Sequence, residues 1–177
     1  IREALRRINI RFRRVQGQNR TFLNGRDVEE QIRSMRVSHL VSEVAAISEV
    51  RRALVAQQQD MGRDKGVVLD GRDIGTVVFP RAELKIFLVA DFPERSRRRF
   101  EEIRAKYPQK VPPMDEVREN LSKRDRIDSS RADSPLRQAE DARLLDNTKL
   151  NRREQLNLAL SGVREITGHA PTAGERP

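Results

Sequence analysis

The sequence predicts an α/β fold, because short apolar runs alternate with charged helical stretches along its second half. Residues 66–70 (GVVLD) and 84–90 (LKIFLVA) are almost wholly apolar and rich in β-branched side chains. Such runs are typical of strands that are buried on both faces, as in a parallel sheet. A third candidate strand lies at 144–146 (LLD), and the alternation of strands with helices favours the α/β class.

The first 62 residues predict a separate α+β lobe. Apolar and polar residues alternate at 8–12, which indicates a half-buried strand. The lobe is then expected to contain a turn at 16–20, a second strand at 21–23 and an Asn-Gly turn at 24–25. A short helix capped by Asp27 is expected at 28–33, and a long helix at 38–61.

The second half is expected to be mostly helical outside its strands. Helices are predicted, in chain order, at 94–106, 114–127, 135–142 and 151–167. The segment 107–113 contains three prolines and is expected to be a loop, and residues 168–177 are expected to form a loose tail.

The composition excludes several kinds of site. The sequence has no cysteine, so disulfides and thiolate metal sites are excluded, and a reducing compartment fits. With only two histidines a His-rich metal site is not expected, and no residue is assigned as a metal ligand. No apolar run approaches 18 residues, and residues 1–15 lack the signal-peptide pattern, so a cytoplasmic protein is expected.

The net charge is +9, with 36 Lys and Arg against 27 Asp and Glu. This balance implies an anionic partner, and nucleic acid, phosphorylated small molecules and acidic surfaces all remain open. Most of the basic residues are arginines, which favours planar, bidentate contacts to phosphate.

The segment DGRDIG at 70–75 lies at the end of the strand predicted at 66–70 and contains two glycines and three charged side chains. In open α/β sheets, ligands bind outside the carboxyl ends of the strands. Arg72 suits a phosphate group, and Asp73 suits a hydrogen bond from an amino group. A capped strand–helix turn with a surface ion pair explains these residues equally well.

A charged run near residue 130 suggests an anion clamp. Arg124, Asp128 and Arg131 are spaced by four and three residues, so on a helix they would share one face and bracket a single ligand. Arg126 and Asp133 belong to the same run. A solvated helix face with salt bridges remains the alternative.

A second arginine cluster begins the helix predicted at 94–106, with members Arg95, Arg97, Arg98, Arg99 and Arg104. One interpretation is a lid whose guanidinium groups meet the charge of a triphosphate. A nucleic-acid patch and a plain charged helix face are the other two interpretations.

Taken in chain order, these segments resemble the bacterial cytidylate kinase family of nucleoside monophosphate kinases. The resemblance is in register from about residue 22 to about residue 160, and its most specific string is DGRDIGTVVFP at 70–80. The other matching strings are NGRDVEEQIR, VSHLVSEVAAISEVRRAL, RSRRR, RDRIDSSRADSPL and AEDARLLDNT. The resemblance implies a P-loop kinase-like parallel sheet with helices on both faces and a small α+β nucleotide-binding insert.

The resemblance also implies a reaction and a set of acceptor contacts. The family transfers a phosphoryl group from ATP, with Mg²⁺, to CMP or dCMP. By position, Ser42, Arg51 and Asp73 match residues that read cytosine, whose N4 amino group donates and whose O2 and N3 accept. Arg124 and Asp128 match the residues that hold the pentose.

The remaining roles carried over by position concern phosphate groups. Arg72 and Arg131 match phosphate-binding arginines, and with Arg98 they form the predicted catalytic set. Arg95 and Arg99 fall in the predicted lid over ATP. Ile127 stands where some relatives have another arginine, so that contact is not carried over.

One segment of the family pattern has no counterpart in the sequence. The loop G-x-x-x-x-G-K-[S/T], which cradles the phosphates of ATP, occurs nowhere in the 177 residues. The resemblance places that loop on a strand between those predicted at 66–70 and 84–90. We therefore expect the sheet to lack its middle and the chain as given to be incomplete for catalysis.

The kinase interpretation divides the chain into four parts. They are an insert lobe at 1–62, a core at 63–90, a lid with the CMP clamp at 91–133, and the C-terminal part of the core with the tail at 134–177. The interpretation expects ATP and CMP as small-molecule partners, no nucleic acid, no membrane and a monomer. Two other functions remain open: a basic nucleic-acid-binding module, and a pseudo-enzyme that binds CMP without transferring phosphate.

Overall fold

The computed structural model of the protein describes residues 2–168, and they fall into two compact units. The first unit runs to Val78 and also includes Ser122–Arg137. The second unit comprises Phe79–Leu121 and the chain from Gln138 onward. Helices are combined with a parallel strand pair, which confirms the α/β prediction.

The first unit contains a three-stranded antiparallel sheet in the order β1-β2-β3. Its strands are β1 Ile10–Val15, β2 Gln18–Leu23 and β3 Arg26–Asp27. Both connections are two-residue turns with positive φ throughout, at Gln16 (50°), Gly17 (78°), Asn24 (50°) and Gly25 (82°). Such turns match the right-handed twist of the strands, and the Asn-Gly turn is confirmed. The first strand begins and ends later than predicted.

Four helices of the first unit are α1 Arg2–Arg6, α2 Glu29–Ile32, α3 Met35–Ala45 and α4 Ser48–Met61. The prediction of a single helix over 38–61 is wrong, because the backbone is extended at Ile47 between α3 and α4. The Nε of Arg51 donates to the carbonyl of Ala45 at 3.0 Å. The last carbonyls of a helix have no N–H partner within the helix, and this side chain satisfies one of them at the end of α3.

The prediction of a buried strand at 66–70 is also wrong. The segment has no regular structure, and Val68 is 100% exposed. An apolar run forms a strand only where a neighbouring strand pairs with its backbone, and none of the five strands in residues 2–168 does so. A single π-helical turn, Ile74–Val78, follows, in which the Asp73 carbonyl accepts from the N–H groups of Val77 and Val78.

The second unit is organised on a parallel strand pair. Its strands are β4 Ile86–Val89 and β5 Arg143–Asp146, with Ile86 opposite Arg143 and Val89 opposite Asp146. Both strands fall where the sequence predicts them. The helices α5 Phe92–Lys106 and α7 Arg152–Thr167 also confirm their predictions, and a capping box between Asn151 and Glu154 begins α7.

The helix α6 Met114–Ser130 is longer than predicted, and the division between the two units falls within it. The helix predicted at 135–142 is wrong, since that segment forms no helix and contains one hydrogen-bonded turn, in which the N–H of Ala142 donates to the carbonyl of Ala139 at 3.0 Å. The chain reverses after α6: Ser134 adopts a left-handed φ of 54°, and the N–H of Leu136 donates to the carbonyl of Asp128 at 2.8 Å. The loose tail predicted at 168–177 lies outside the described residues apart from Gly168, the left-handed C-cap of α7.

Few apolar side chains are fully enclosed. The buried ones are Val78, Ile103, Val117 and Leu145. Several buried side chains are instead charged, which directs attention to the ionic contacts of each unit. No helix within residues 2–168 is long and apolar enough to cross a membrane.

Candidate functional site

A buried ionic cluster lies in the first unit and contains five of the residues that the sequence analysis selected. We call it the Arg–Asp cluster, and its members are Arg51, Arg72, Asp73, Asp128 and Arg131. They come from α4, from the turn that precedes Ile74–Val78, from α6 and from the residue that follows α6. Residues widely separated along the chain therefore meet at one place.

Asp73 is the carboxylate that joins two of the arginines. Its side chain is 6% exposed, and its Oδ2 accepts from the Nη1 of Arg51 at 2.9 Å. Its Oδ1 lies 3.8 Å from the Nη2 of Arg131. Because the backbone carbonyl of Asp73 also accepts two hydrogen bonds of the π-helical turn, the turn and the cluster fix one another.

Asp128 is the second carboxylate of the cluster, and it joins Arg72 to Arg131. Its Oδ2 accepts from the Nε of Arg72 at 3.1 Å, and its Oδ1 accepts from the Nη1 of Arg131 at 3.3 Å. Arg72 is half exposed, so its contact is the more open of the two. The carboxylate of Asp128 thus holds one arginine at the surface and one in the interior.

Arg131 is the most deeply buried member of the cluster, with 2% of its side chain exposed. Its Nε donates to the carbonyl of Ser134 at 2.6 Å, a contact made possible by the left-handed backbone at Ser134. Burial and the nearby charge of Arg51 lower the pKa of Arg131 from its ordinary value, while the carboxylates of Asp128 and Asp73 oppose that change. The hydrogen bonds to Ser134 and Asp128 hold the guanidinium of Arg131 in one orientation.

One donor of that guanidinium has no hydrogen-bond partner among residues 2–168. The Nη2 of Arg131 is buried, and the Oδ1 of Asp73 at 3.8 Å is too distant for a hydrogen bond. Buried donors are nearly always satisfied in folded proteins, so this atom needs an explanation. An oxygen of a bound anion would supply the missing acceptor.

The charges of the cluster favour an anionic ligand. Three guanidinium groups face two carboxylates, which leaves one positive charge in excess in a mostly buried setting. An uncompensated charge is costly away from water, whereas a bound phosphate would balance it and accept bidentate hydrogen bonds. The geometry can therefore bind and orient a phosphorylated compound.

Two further predicted acceptor residues lie in the same unit as the cluster. Ser42, on α3, is 5% exposed. Arg124 lies on α6 one turn before Asp128, as the predicted shared helix face requires. Both assignments stay predictions.

The predicted lid arginines lie in the second unit, on α5. The Nε of Arg98 donates to Glu94 at 2.7 Å, its Nη1 donates to the Oδ1 of Asn147 at 3.1 Å, and its Nη2 donates to the carbonyls of Asn147 (2.8 Å) and Thr148 (3.2 Å). The two Nη nitrogens of Arg98 thus hold the loop that follows β5, while its Nε is bound to Glu94 of the same helix. The Nε of Arg95 donates to the Ala90 carbonyl at 3.1 Å.

Several other charges of α5 form ion pairs within the helix. Arg99 pairs with Glu102 at 2.8 Å, and Glu94 accepts from Arg97 as well as from Arg98. Hydrogen bonds from Arg97 and Arg98 lower the pKa of Glu94 to about 2. The helix α5, the loop after β5 and the start of α7 line one open groove, which includes Arg95, Arg98 and Arg99.

Sequence reasoning missed two groups that shape these sites. The carbonyl of Ser134 fixes Arg131, and nothing in the sequence marks a left-handed serine. Asn147 binds Arg98 and also donates to Gln155 at 2.9 Å. Its position directly after β5, at the carboxyl end of a parallel strand, was the available signal.

Comparisons with known proteins agree with the resemblance. A family model described as cytidylate kinase matches residues 1–165. The cytidylate kinase of Porphyromonas gingivalis is 50% identical over 162 residues, which cover 92% of this chain and 70% of that relative. The cytidylate kinase of Parabacteroides distasonis is 51% identical over 162 residues, which cover 91% of this chain and 69% of that relative.

Proposed function

Since the chain belongs to the cytidylate kinase family, we propose that it serves phosphoryl transfer from ATP to CMP or dCMP, giving CDP or dCDP. The Arg–Asp cluster is the acceptor site in this proposal. The family sets the reaction class, and the contacts of this chain suggest which side chains bind which part of the acceptor.

The unsatisfied Nη2 of Arg131 is the observation that carries the assignment. A phosphate oxygen of CMP would accept from it and would balance the excess positive charge of the cluster. Arg72, which is half exposed and held by Asp128, is free to turn one face of its guanidinium to the same phosphate. We propose that these two arginines orient the phosphate and stabilise charge as the phosphoryl group is transferred.

The base and the pentose are assigned to the remaining members of the acceptor set. Asp73 accepts from Arg51 on one oxygen, and a carboxylate has further lone pairs for an amino group such as N4 of cytosine. Arg51 and the hydroxyl of Ser42 supply donors for O2 and N3. Arg124 and Asp128, one helical turn apart, are proposed to hold the pentose.

The donor side of the reaction is assigned to the second unit. Arg95, Arg98 and Arg99 line the open groove beside α5 and are proposed to act on the ATP phosphates. Arg98 can reach a phosphate only by giving up contacts to the loop after β5, so its role includes holding that loop. We propose that transfer further needs a glycine-rich phosphate loop, which the 177 residues do not contain.

The residues described do not fit a protein-held Mg²⁺ site. Within residues 2–168 no group of three His, Cys, Asp or Glu side chains could hold a metal ion, and both carboxylates of the cluster contact arginines. Mg²⁺ commonly keeps its waters and binds substrate phosphates with few protein ligands. We propose that it accompanies the phosphates of ATP, and no step is assigned to it.

The test compares CMP with cytidine by calorimetric titration of the 177-residue chain. The wild-type chain should bind CMP at least about tenfold more tightly, because only CMP offers an acceptor to Arg131. Arg131→Met should remove most of that preference, and Arg131→Lys should keep part of it. Arg126→Met, at an exposed position of α6, is the matched control and should change nothing.

A second readout separates binding from transfer. With ATP and Mg²⁺ present, we expect the 177-residue chain to bind CMP without forming CDP. Rapid CDP formation by this chain would overturn the proposed need for a phosphate loop. A wild-type chain that binds cytidine and CMP equally would overturn the assignment of the cluster to phosphate.

A further inference from the structure

Most of the excess positive charge of the chain lies in its first 26 residues. Residues 1–26 contain eight arginines, one glutamate and no lysine or aspartate, so they carry +7 of the total of +9. The hairpin formed by β1 and β2 lies at the centre of this segment. We call Ile10–Leu23 the basic hairpin.

The arginines of the basic hairpin differ from those of α5 in how they are compensated. Four arginines of α5 each pair with a glutamate of that helix: Arg97, Arg98, Arg99 and Arg104. In contrast, within residues 2–168 no carboxylate pairs with Arg11, Arg13 or Arg14, all of which are exposed. Among the described residues, the arginines of β1 thus lack the carboxylate partners that four arginines of α5 have.

The pairing of the two strands concentrates that charge further. Arg13 lies directly opposite Arg20, and like charges at such positions repel. Arg20 is compensated by Asp27, whose Oδ2 is 2.5 Å from its Nε. In the part of the chain that the structure describes, Arg13 instead lies over the ring of Phe22, 5.3 Å from its centre, and has no carboxylate partner. A bound anion would relieve the repulsion that the fold leaves at this pair.

An exposed aromatic ring lies among these arginines. Phe12 is 61% exposed and stands between Arg11 and Arg13 in the sequence, with its side chain on the opposite face of the strand. Arg14 lies on the same face as Phe12, two residues along. Exposure of one ring is ordinary, but this ring shares its face of the strand with Arg14 and can stack a base while arginines of the same strand contact phosphates.

We propose that the basic hairpin binds single-stranded nucleic acid. Arg11, Arg13 and Arg14 contact backbone phosphates, and Phe12 stacks on a base. The strand is at the edge of its sheet and is exposed on both faces, so a flexible single strand can follow it. This surface is separate from the Arg–Asp cluster, and it would revise the expectation of no nucleic-acid partner.

Charged side chains on an edge strand have another use, because they prevent two sheets from pairing at their edges. That role needs charge alone and is indifferent to Phe12. Nucleic-acid binding needs both the guanidinium groups and the ring, so separate substitutions distinguish the two.

The experiment measures fluorescence anisotropy of labelled 12-nucleotide oligouridine and oligothymidine with the 177-residue chain, between 50 and 200 mM salt. The test variant is Arg11→Gln/Arg13→Gln/Arg14→Gln. A control variant, Arg104→Gln/Arg118→Gln/Arg137→Gln, removes the same charge at exposed positions elsewhere. Phe12→Ala tests stacking alone, and circular dichroism verifies that each variant is folded.

The test variant should lose at least about tenfold in affinity, and its log–log salt slope should fall by about 2, since each phosphate contact of a single strand contributes about 0.7. Phe12→Ala should lose about tenfold with an unchanged slope. Preference for RNA or for DNA would each support the proposal. Equal losses in the test and control variants, or wild-type binding by Phe12→Ala, would overturn it in favour of diffuse attraction.

Discussion

Removing the carboxylate of Asp73 is the perturbation that tests the Arg–Asp cluster most severely. The side chain is 6% exposed, and its partners Arg51 and Arg131 are 14% and 2% exposed. Asp73→Ala would remove the carboxylate that pairs with Arg51, and Arg131 would keep only its contact with Asp128. Breaking a buried pair by removing one partner typically costs about 3–5 kcal/mol.

That magnitude translates into a measurable shift. For a chain of this size, 1 kcal/mol corresponds to about 2–4 °C in Tm, so Asp73→Ala should lower Tm by roughly 6–20 °C. Asp73→Asn should be nearly as harmful, because the amide keeps the shape but not the charge. Urea unfolding followed by circular dichroism measures the free energy of unfolding directly.

The control and the double variant separate charge from packing. Asp60→Ala removes a carboxylate that pairs with Arg63 at the surface, and it should cost no more than about 1 kcal/mol. Arg51→Ala/Asp73→Ala should be less harmful than the sum of the single changes, by about 1–3 kcal/mol. If Asp73→Ala costs no more than Asp60→Ala, the buried pairing as described is refuted.

Two further results are expected in the second unit. Arg98→Ala should lower the free energy of unfolding by about 2 kcal/mol and speed hydrogen exchange of the amides in residues 147–150. The control Arg104→Ala should have neither effect. Unchanged exchange in Arg98→Ala would contradict the role of Arg98 in holding this loop. Because the pKa of Glu94 is lowered from 4.5 to about 2, its ion pairs stabilise the fold fully above pH 4.5, and that contribution is lost as the pH falls towards 2. Glu94→Gln should flatten the dependence of the urea midpoint on pH in that window, and a variant with the wild-type profile would contradict the assignment.

The elements that local patterns define were predictable, and those that depend on distant partners were not. The Asn-Gly turn, both strands of the parallel pair and α7 follow from turn chemistry, β-branched runs and helical spacing. The run at 66–70 has the same strand-like composition as β4 but no pairing strand within residues 2–168. Composition reports that a segment can form a strand, while pairing decides whether it does.

The break between α3 and α4 and the missing helix at 135–142 have similar causes. Apolar residues continue at helical spacing through Ile47, and only the contact from Arg51 to the carbonyl of Ala45 reveals the end of α3. After α6 the reversal depends on Ser134 in a left-handed conformation, which no local rule assigns to serine followed by proline.

The site residues were selected by resemblance more than by pattern. Spacing alone suggested Arg124, Asp128 and Arg131 as one face, and the structure places the first two on α6 and the third immediately after it. No spacing rule connects Arg51 with Asp73, 22 residues apart, although they form the 2.9 Å ion pair of the cluster. Both residues were selected because they lie in strings that match the family in the same chain order. Local chemistry does not encode that order.

The most direct test of the central claim is calorimetric titration of the folded 177-residue chain with CMP, UMP and AMP. If the Arg–Asp cluster is a cytidylate acceptor site, CMP should bind at least about tenfold more tightly than UMP or AMP. Uracil has a carbonyl oxygen where cytosine has the amino group that donates to Asp73. Adenine has an amino group but no counterpart of the cytosine O2 that accepts from Arg51 or Ser42. Equal affinity for the three nucleotides, or no binding by a chain that circular dichroism shows to be folded, would contradict the account.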